Sequence, residues 1–341
     1  MTEKENNTTP IRNVGKYGLI DHISEKIELQ NKSTKKGIGD DAAVIESGNG
    51  YKLVSTDLLL EGIHFNLVYT PLRHLGYKSV IRAISDIYAM NGTPEQVLIG
   101  LGISSRFSVE QIDEIFTGAG LACKKYGIDI AGGDTTSSLT GLTISVTSVG
   151  YVEKEKLVKR DGAKPNQLIC VTGDLGAAYM GLQILEREKK LFEESKNFQP
   201  DLAGYDYVIG RQLRPELPVK ILNEIRNAGI DLTSMIDITD GLAYDIMKIG
   251  KSSGTGCRLF SKQIPVDFET SKAAEELNID PLVPALNGGE DFELLFTVPL
   301  EMYDKLKQIS SVSVIGHITD KESGNYIAGD NGSEVELTWP L

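Results

Sequence analysis

The segment GIGDDAAV, residues 37–44, sets two adjacent carboxylates, Asp40 and Asp41, between a glycine turn and an apolar run that reads as a core strand. Neighbouring carboxylates repel each other and resist burial. A solvated turn would explain the pair if it stood alone. It does not stand alone. Acidic residues beside Gly, Ser or Thr recur in STD (55–57), SD (85–86), GGDTT (132–136), DITDG (237–241) and GGED (288–291). Each reads as a strand end, where a single Asp usually serves a turn or a helix N-cap. Several such ends brought together would form an anionic cleft, which needs cations to hold it.

The ligand types indicate which cation. No His or Cys pair has zinc spacing, and no EF-hand loop is present. Carboxylates with Ser and Thr hydroxyls suit Mg²⁺ or Mn²⁺, ions that complete their shells with water and phosphate oxygens. The pattern points to phosphoryl chemistry, with two-metal hydrolysis as the other option. Gly132-Gly133 and Gly288-Gly289 would let backbone amides approach an anion. There is no GxxxxGK[ST] loop and no kinase HRD/DFG set, so any use of ATP must run on a different scaffold.

Composition bounds the remainder. The chain has 341 residues, enough for two domains, and 40% hydrophobic residues, enough for a sizeable core. A net charge of −13 argues against nucleic acid and anionic membrane as partners. Cys123, Cys170 and Cys257 have apolar neighbours and no CxxC spacing, and they read as buried free thiols of a reducing compartment. The N-terminal MTEKENNTTP lacks the apolar core of a signal peptide, and no apolar run is long enough to span a bilayer. The expectation is a cytoplasmic protein.

Periodicity gives the coarse fold. Leu75, Val80, Ile84 and Ile87 recur at helical spacing. Ser108 and Gln111 form a capping-box pattern for a helix that Gly127 closes. YKLVSTDLLL reads as a strand ending in a turn near Asp57, and EREKKLFEESKNFQPD reads as an exposed connection or a helix end. Strands and helices mix in both halves, and several strands alternate in character. This predicts α/β layers, with mixed sheets and helices packed on them. The expected organisation is a flexible arm over 1–14, a first domain over 15–152 and a second over 153–341.

GIGDDAAV, STDLLLEGIHF, AISDIYAMNGTP, IAGGDTT, KRDGAKP, VTGDLG, DITDGLAYD and GGEDFELLF, in this order and followed by a terminal LTW, resemble the thiamine-monophosphate kinase family. The resemblance runs from about residue 12 to the end. It implies the PurM-like fold of aminoimidazole-ribonucleotide synthetase, with two α/β domains, and a homodimer formed through the N-terminal domains. The implied reaction is transfer of a phosphoryl group from ATP to thiamine monophosphate, giving thiamine diphosphate. By similarity, Asp40, Ser55, Thr56, Asp57, Asp86, Asp134, Asp237 and Asp240 would ligate several Mg²⁺ ions. Gly133, Asp134, Arg160 and Thr239 would contact ATP. His64, Glu290 and Trp339 would bind thiamine monophosphate, with Trp339 near its rings. Asp41 is expected to support the turn. The rival readings are another PurM-like ATP-dependent enzyme and a non-catalytic cation- or nucleotide-binding protein.

Overall fold

The structure is a computed structural model that describes residues 9–195, 199–329 and 331–339. Of the arm expected over 1–14, the first eight residues lie outside this range. Ile11–Asn13 form one 3₁₀ turn that leads into α1 (Gly15–Ser24).

The first half continues with β1 (Thr34–Lys36), β2 (Ala43–Ser47), β3 (Gly50–Leu60), α2 (Leu72–Ala89), β4 (Thr93–Ile103), α3 (Val109–Tyr126), β5 (Asp129–Ser137) and β6 (Thr143–Glu153). These strands form a six-stranded mixed sheet in the order β1-β2-β3-β6-β4-β5, with only the β4–β5 pair parallel. The second half contains β7 (Leu168–Thr172), α4 (Ala177–Glu194), α5 (Asp206–Leu213), α6 (Val219–Asn227), β8 (Ser234–Asp237), α7 (Leu242–Ser253), β9 (Thr255–Phe260), α8 (Phe268–Glu276) and α9 (Leu282–Asn287). It closes with β10 (Leu294–Val298), α10 (Tyr303–Leu306), β11 (Val312–Asp320), β12 (Asn325–Ala328) and β13 (Glu334–Glu336). Its seven-stranded sheet runs β13-β12-β9-β11-β7-β10-β8, with β12–β9 parallel.

α2 joins the halves. It packs on β3, β4, β6 and α3 of the first sheet's layer and also meets β8 of the second sheet. One core cluster therefore runs from Val97 and Ile144 through Ile81, Ile84 and Ile115 to Met235 and Phe296. The α2–α3 contact depends on glycine. A Cβ on Gly76 would lie 1.9 Å from the Ile115 carbonyl oxygen, and one on Gly118 1.8 Å from that of Arg73.

The capping box forms as its sequence predicts. The Gln111 N–H donates to Ser108 Oγ and the Ser108 N–H to Gln111 Oε1, and Gly127 closes α3 at φ +71°. One expectation changes: β3 does not turn at Asp57, because its ladder with β6 continues through Asp57↔Val146 to Leu60↔Thr143. Of the two readings of EREKKLFEESKNFQPD, the helix end holds for EREKKLFEE, which completes α4 to Glu194, since that stretch holds good helix formers and no Gly or Pro to stop it. The three cysteines are buried and free. No helix of the described residues is long and apolar enough to cross a membrane.

Candidate functional site

Four chain segments converge on one cleft of about 710 Å³ between the two sheets. The GIGDD turn brings Asp40 and Asp41. β3 brings Ser55 and Asp57 on its helix-facing side, where α2 supplies Asp86. The end of β8 brings Asp237, and the turn after it brings Thr239 and Asp240. Carboxylate oxygens of Asp41, Asp86 and Asp237 lie within 4.8 Å of one another. Around them, Ser55 Oγ donates to Asp86 and Ser85 Oγ to Asp237. Arg160, just before the second sheet, donates from Nε to Asp41 Oδ1 at 3.2 Å and from Nη2 to the same oxygen.

Burial dominates the electrostatics. It pushes Asp40 up to about 6 and Asp237 up to about 7, and the charge of Asp41 adds to both. Burial likewise raises Asp86, with Asp237 adding to it. Burial also opposes ionisation of Asp240, but the Lys248 ammonium at 2.6 Å outweighs it and holds that carboxyl well below its usual range. Asp40 Oδ2, Asp41 Oδ2 and Asp57 Oδ2 are buried with no hydrogen-bond partner. Unpartnered carboxylate oxygens beside a convergent all-oxygen triad fit a hard divalent cation such as Mg²⁺.

A second pocket of about 270 Å³ holds His64, Glu290, Tyr69, Tyr179 and Glu186. Glu290 bonds the Lys78 ammonium at 2.6 Å and Arg82 Nη1 at 2.8 Å. Burial alone would raise Glu290; these two cations, Lys78 first, bring it below its usual range. The GGED turn that presents Glu290 packs against Thr239. The Glu290 N–H donates to the Thr239 carbonyl, and a Cβ on Gly289 (φ +72°) would lie 2.4 Å from that oxygen. Glu290 and Phe292 both hold left-handed backbone, at φ +56° and +54°, a cost usually met where a site requires it.

The structure thus gathers Asp40, Ser55, Asp57, Asp86, Asp237, Asp240, Arg160 and Thr239 in the large cleft, and His64 and Glu290 in the smaller pocket. Thr56 reaches the cleft edge, but its hydroxyl bonds Thr147 on the opposite face of the sheet. Gly133 and Asp134 stay apart. They lie on the edge strand β5, and the ladder from Asp134 crosses Gly100 and Ser145 to reach Leu58, about 14 Å at the usual strand spacing. Trp339 does not line the pocket of His64 and Glu290. It lines the large cleft and packs on Tyr17, with ring centroids 5.3 Å apart. Asp41, Lys78 and Arg82 are additions. Lys78, Arg82 and Asp86 are spaced by four on one helix, a signal present in the sequence.

Comparison with known proteins identifies the architecture. Residues 39–152 match the model of the AIR synthase related protein, N-terminal domain. The thiamine-monophosphate kinase of Bacillus subtilis (strain 168) is 32% identical over 320 residues, covering 91% of this chain and 93% of the relative. The chain belongs to the thiamine-monophosphate kinase family. That of Aquifex aeolicus (strain VF5) is 32% identical over 319 residues, covering 94% and 96%. The solved structure of AaThiL complexed with AMPPCP and TMP superimposes with a TM-score of 0.80 at 30% identity, covering 97% of each chain. The two mixed sheets with their helices therefore form the PurM-like fold of this kinase family.

Proposed function

We propose that the protein transfers the γ-phosphoryl group of ATP directly to the phosphate of thiamine monophosphate, giving ADP and thiamine diphosphate. The observation that carries this reading is the convergence of Asp41, Asp86 and Asp237 beside the pocket of His64 and Glu290. Family membership supplies the substrate pair. Mg²⁺ held by Asp41, Asp86 and Asp237, with Asp40, Asp57 and Ser55 beside them, would supply the positive charge that two polyanions need in order to meet.

The residues of the chain bind and orient. Arg160 adds fixed positive charge at the floor of the cleft, where it is buried against Asp41. Thr239 borders the donor side. His64 and Glu290 line the acceptor pocket, and the acidic side chains and tyrosines there suit a cationic aromatic ligand. No general base is required, because the acceptor oxygen is already ionised, and an in-line path needs no covalent intermediate.

We further propose a homodimer. On the open face of the first sheet, Leu58 is 51% exposed and Leu98 39%, in line with Thr56, Ser145 and Asp134. A second copy closing on this face would cover these leucines and take Gly133 and Asp134 out of solvent. Two domains dividing at 152/153, next to the last residue of β6, would hold essentially one sheet each, and the free thiols fit a cytoplasmic location.

Chromatography of a reaction containing ATP, Mg²⁺ and thiamine monophosphate tests the reading. Thiamine diphosphate should appear one-for-one with ADP. ADP without thiamine diphosphate would mean a different acceptor, and ligand binding without turnover would favour a binding protein.

A further inference from the structure

Arg82 stands where the two cavities meet. Its Nε–H donates to Asp57 Oδ1 at 2.9 Å, and an Nη1–H donates to Glu290 Oε1 at 2.8 Å. Asp57 lines the large cleft and Glu290 the smaller pocket, so one planar cation links them. The side chain is only 17% exposed. The Nη2 amino group has no hydrogen-bond partner among the described residues and is not sealed in the core, and Arg82 itself lines the large cleft.

Charge balance gives this arrangement a direction. Two cations, Lys78 and Arg82, face two anions, Asp57 and Glu290. The group is neutral as it stands. A divalent cation engaging Asp57 would leave it positive and loosen the hold of Asp57 on Arg82. An anion is then favoured at the junction, and a guanidinium edge matches a phosphate in geometry as well as charge.

We propose that Arg82 binds the phosphate of thiamine monophosphate through its free Nη2 edge, and so is a further catalytic residue, setting the acceptor oxygen towards the γ-phosphorus. This rests on the kinase reading above. As the acceptor oxygen forms its bond to the γ-phosphorus, the bond from that phosphorus to the β–γ bridging oxygen breaks. ADP departs with the electron pair. Arg82 stays protonated throughout and exchanges no proton.

Calorimetric titration separates this role from a structural one. Thiamine monophosphate and unphosphorylated thiamine are titrated into wild type, Arg82→Gln and Arg82→Lys, each with Mg²⁺ and a non-hydrolysable ATP analogue, while thiamine diphosphate formation is assayed in parallel. Arg82→Gln should weaken thiamine monophosphate by about 10- to 100-fold and leave thiamine within about twofold. Arg82→Lys should recover part of the loss, since it keeps the charge without the fork. If Arg82→Gln does not fold, Arg82→Lys decides: about a tenfold selective loss supports the role, and unchanged affinity overturns it. Equal weakening of both ligands, or none, in an active kinase overturns the role of Arg82 alone. A wild type that makes no thiamine diphosphate overturns the kinase reading and this role with it.

Discussion

Burying carboxylates against one another makes each harder to ionise, and the acidic cleft shows the consequence. Asp40 holds its proton to about pH 6 and Asp237 to about pH 7 in the fold. Both would release it near pH 4 in the unfolded chain. The folded state therefore carries extra protons between about pH 4 and 7. Stability from these groups is highest below that window and falls as pH rises through it. Thermal unfolding of metal-free protein should show a lower midpoint at pH 8 than at pH 5. Mg²⁺ should raise the midpoint at pH 8 and do little at pH 5, where protons compete for the ligands. A midpoint that rises with pH in the absence of metal would contradict this electrostatic account. Asp237→Asn removes one repelling charge, so the variant should melt no lower than wild type at pH 8 while its kcat falls at least about 100-fold. At this scale the sequence was informative but incomplete. The doublet Asp40-Asp41 is legible as a metal-site signal. Which of the two carboxylates faces Asp86 and Asp237 depends on how the turn is buried under Arg160, a contact 119 residues away along the chain.

Helix α2 is the element on which the site depends. It carries Lys78, Arg82, Ser85 and Asp86 and is held at a fixed depth by glycine contacts with α3. Gly118→Ala would drive a methyl group into the Arg73 carbonyl. This overpacking should cost about 1–3 kcal/mol in urea unfolding and lower kcat, because the shift of α2 moves Asp86 and Arg82 together. Unchanged stability would mean that the helices can part freely. The long periodic helices α2, α3 and α7 are readable from their apolar spacing. Short α5 and the strands β1, β12 and β13 are not, because three to eight residues are too few to show a period and take their order from pairing and packing on neighbouring elements. The same limit affects the acidic motifs. Local pattern groups Asp57, Asp86 and Asp134 with strand ends, whereas the fold sets Asp57 and Asp134 within strands and Asp86 on a helix. Their convergence is a property of the ladders and of α2, and a short window of sequence does not encode it.

At the scale of the whole molecule, motif order identified the fold, while assembly leaves only indirect marks. Leu58, Leu60 and Leu98, exposed on the open face of the first sheet, are such marks. Light scattering should give twice the monomer mass for wild type and the monomer mass for Leu58→Asp/Leu98→Asp, with activity lost alongside. A fully active wild-type monomer would contradict the proposed dimer. As proposed, the acidic cleft built from both halves of the chain would drive phosphoryl transfer to thiamine monophosphate. The most direct measurement is the steady-state rate of thiamine diphosphate formation in wild type and Asp237→Asn over a Mg²⁺ titration. Wild type should give equimolar ADP and thiamine diphosphate with strict dependence on Mg²⁺, and the folded variant a rate at least about 100-fold lower at every Mg²⁺ concentration. A variant that matches wild type, or a wild type that makes thiamine diphosphate without a divalent cation, would contradict it.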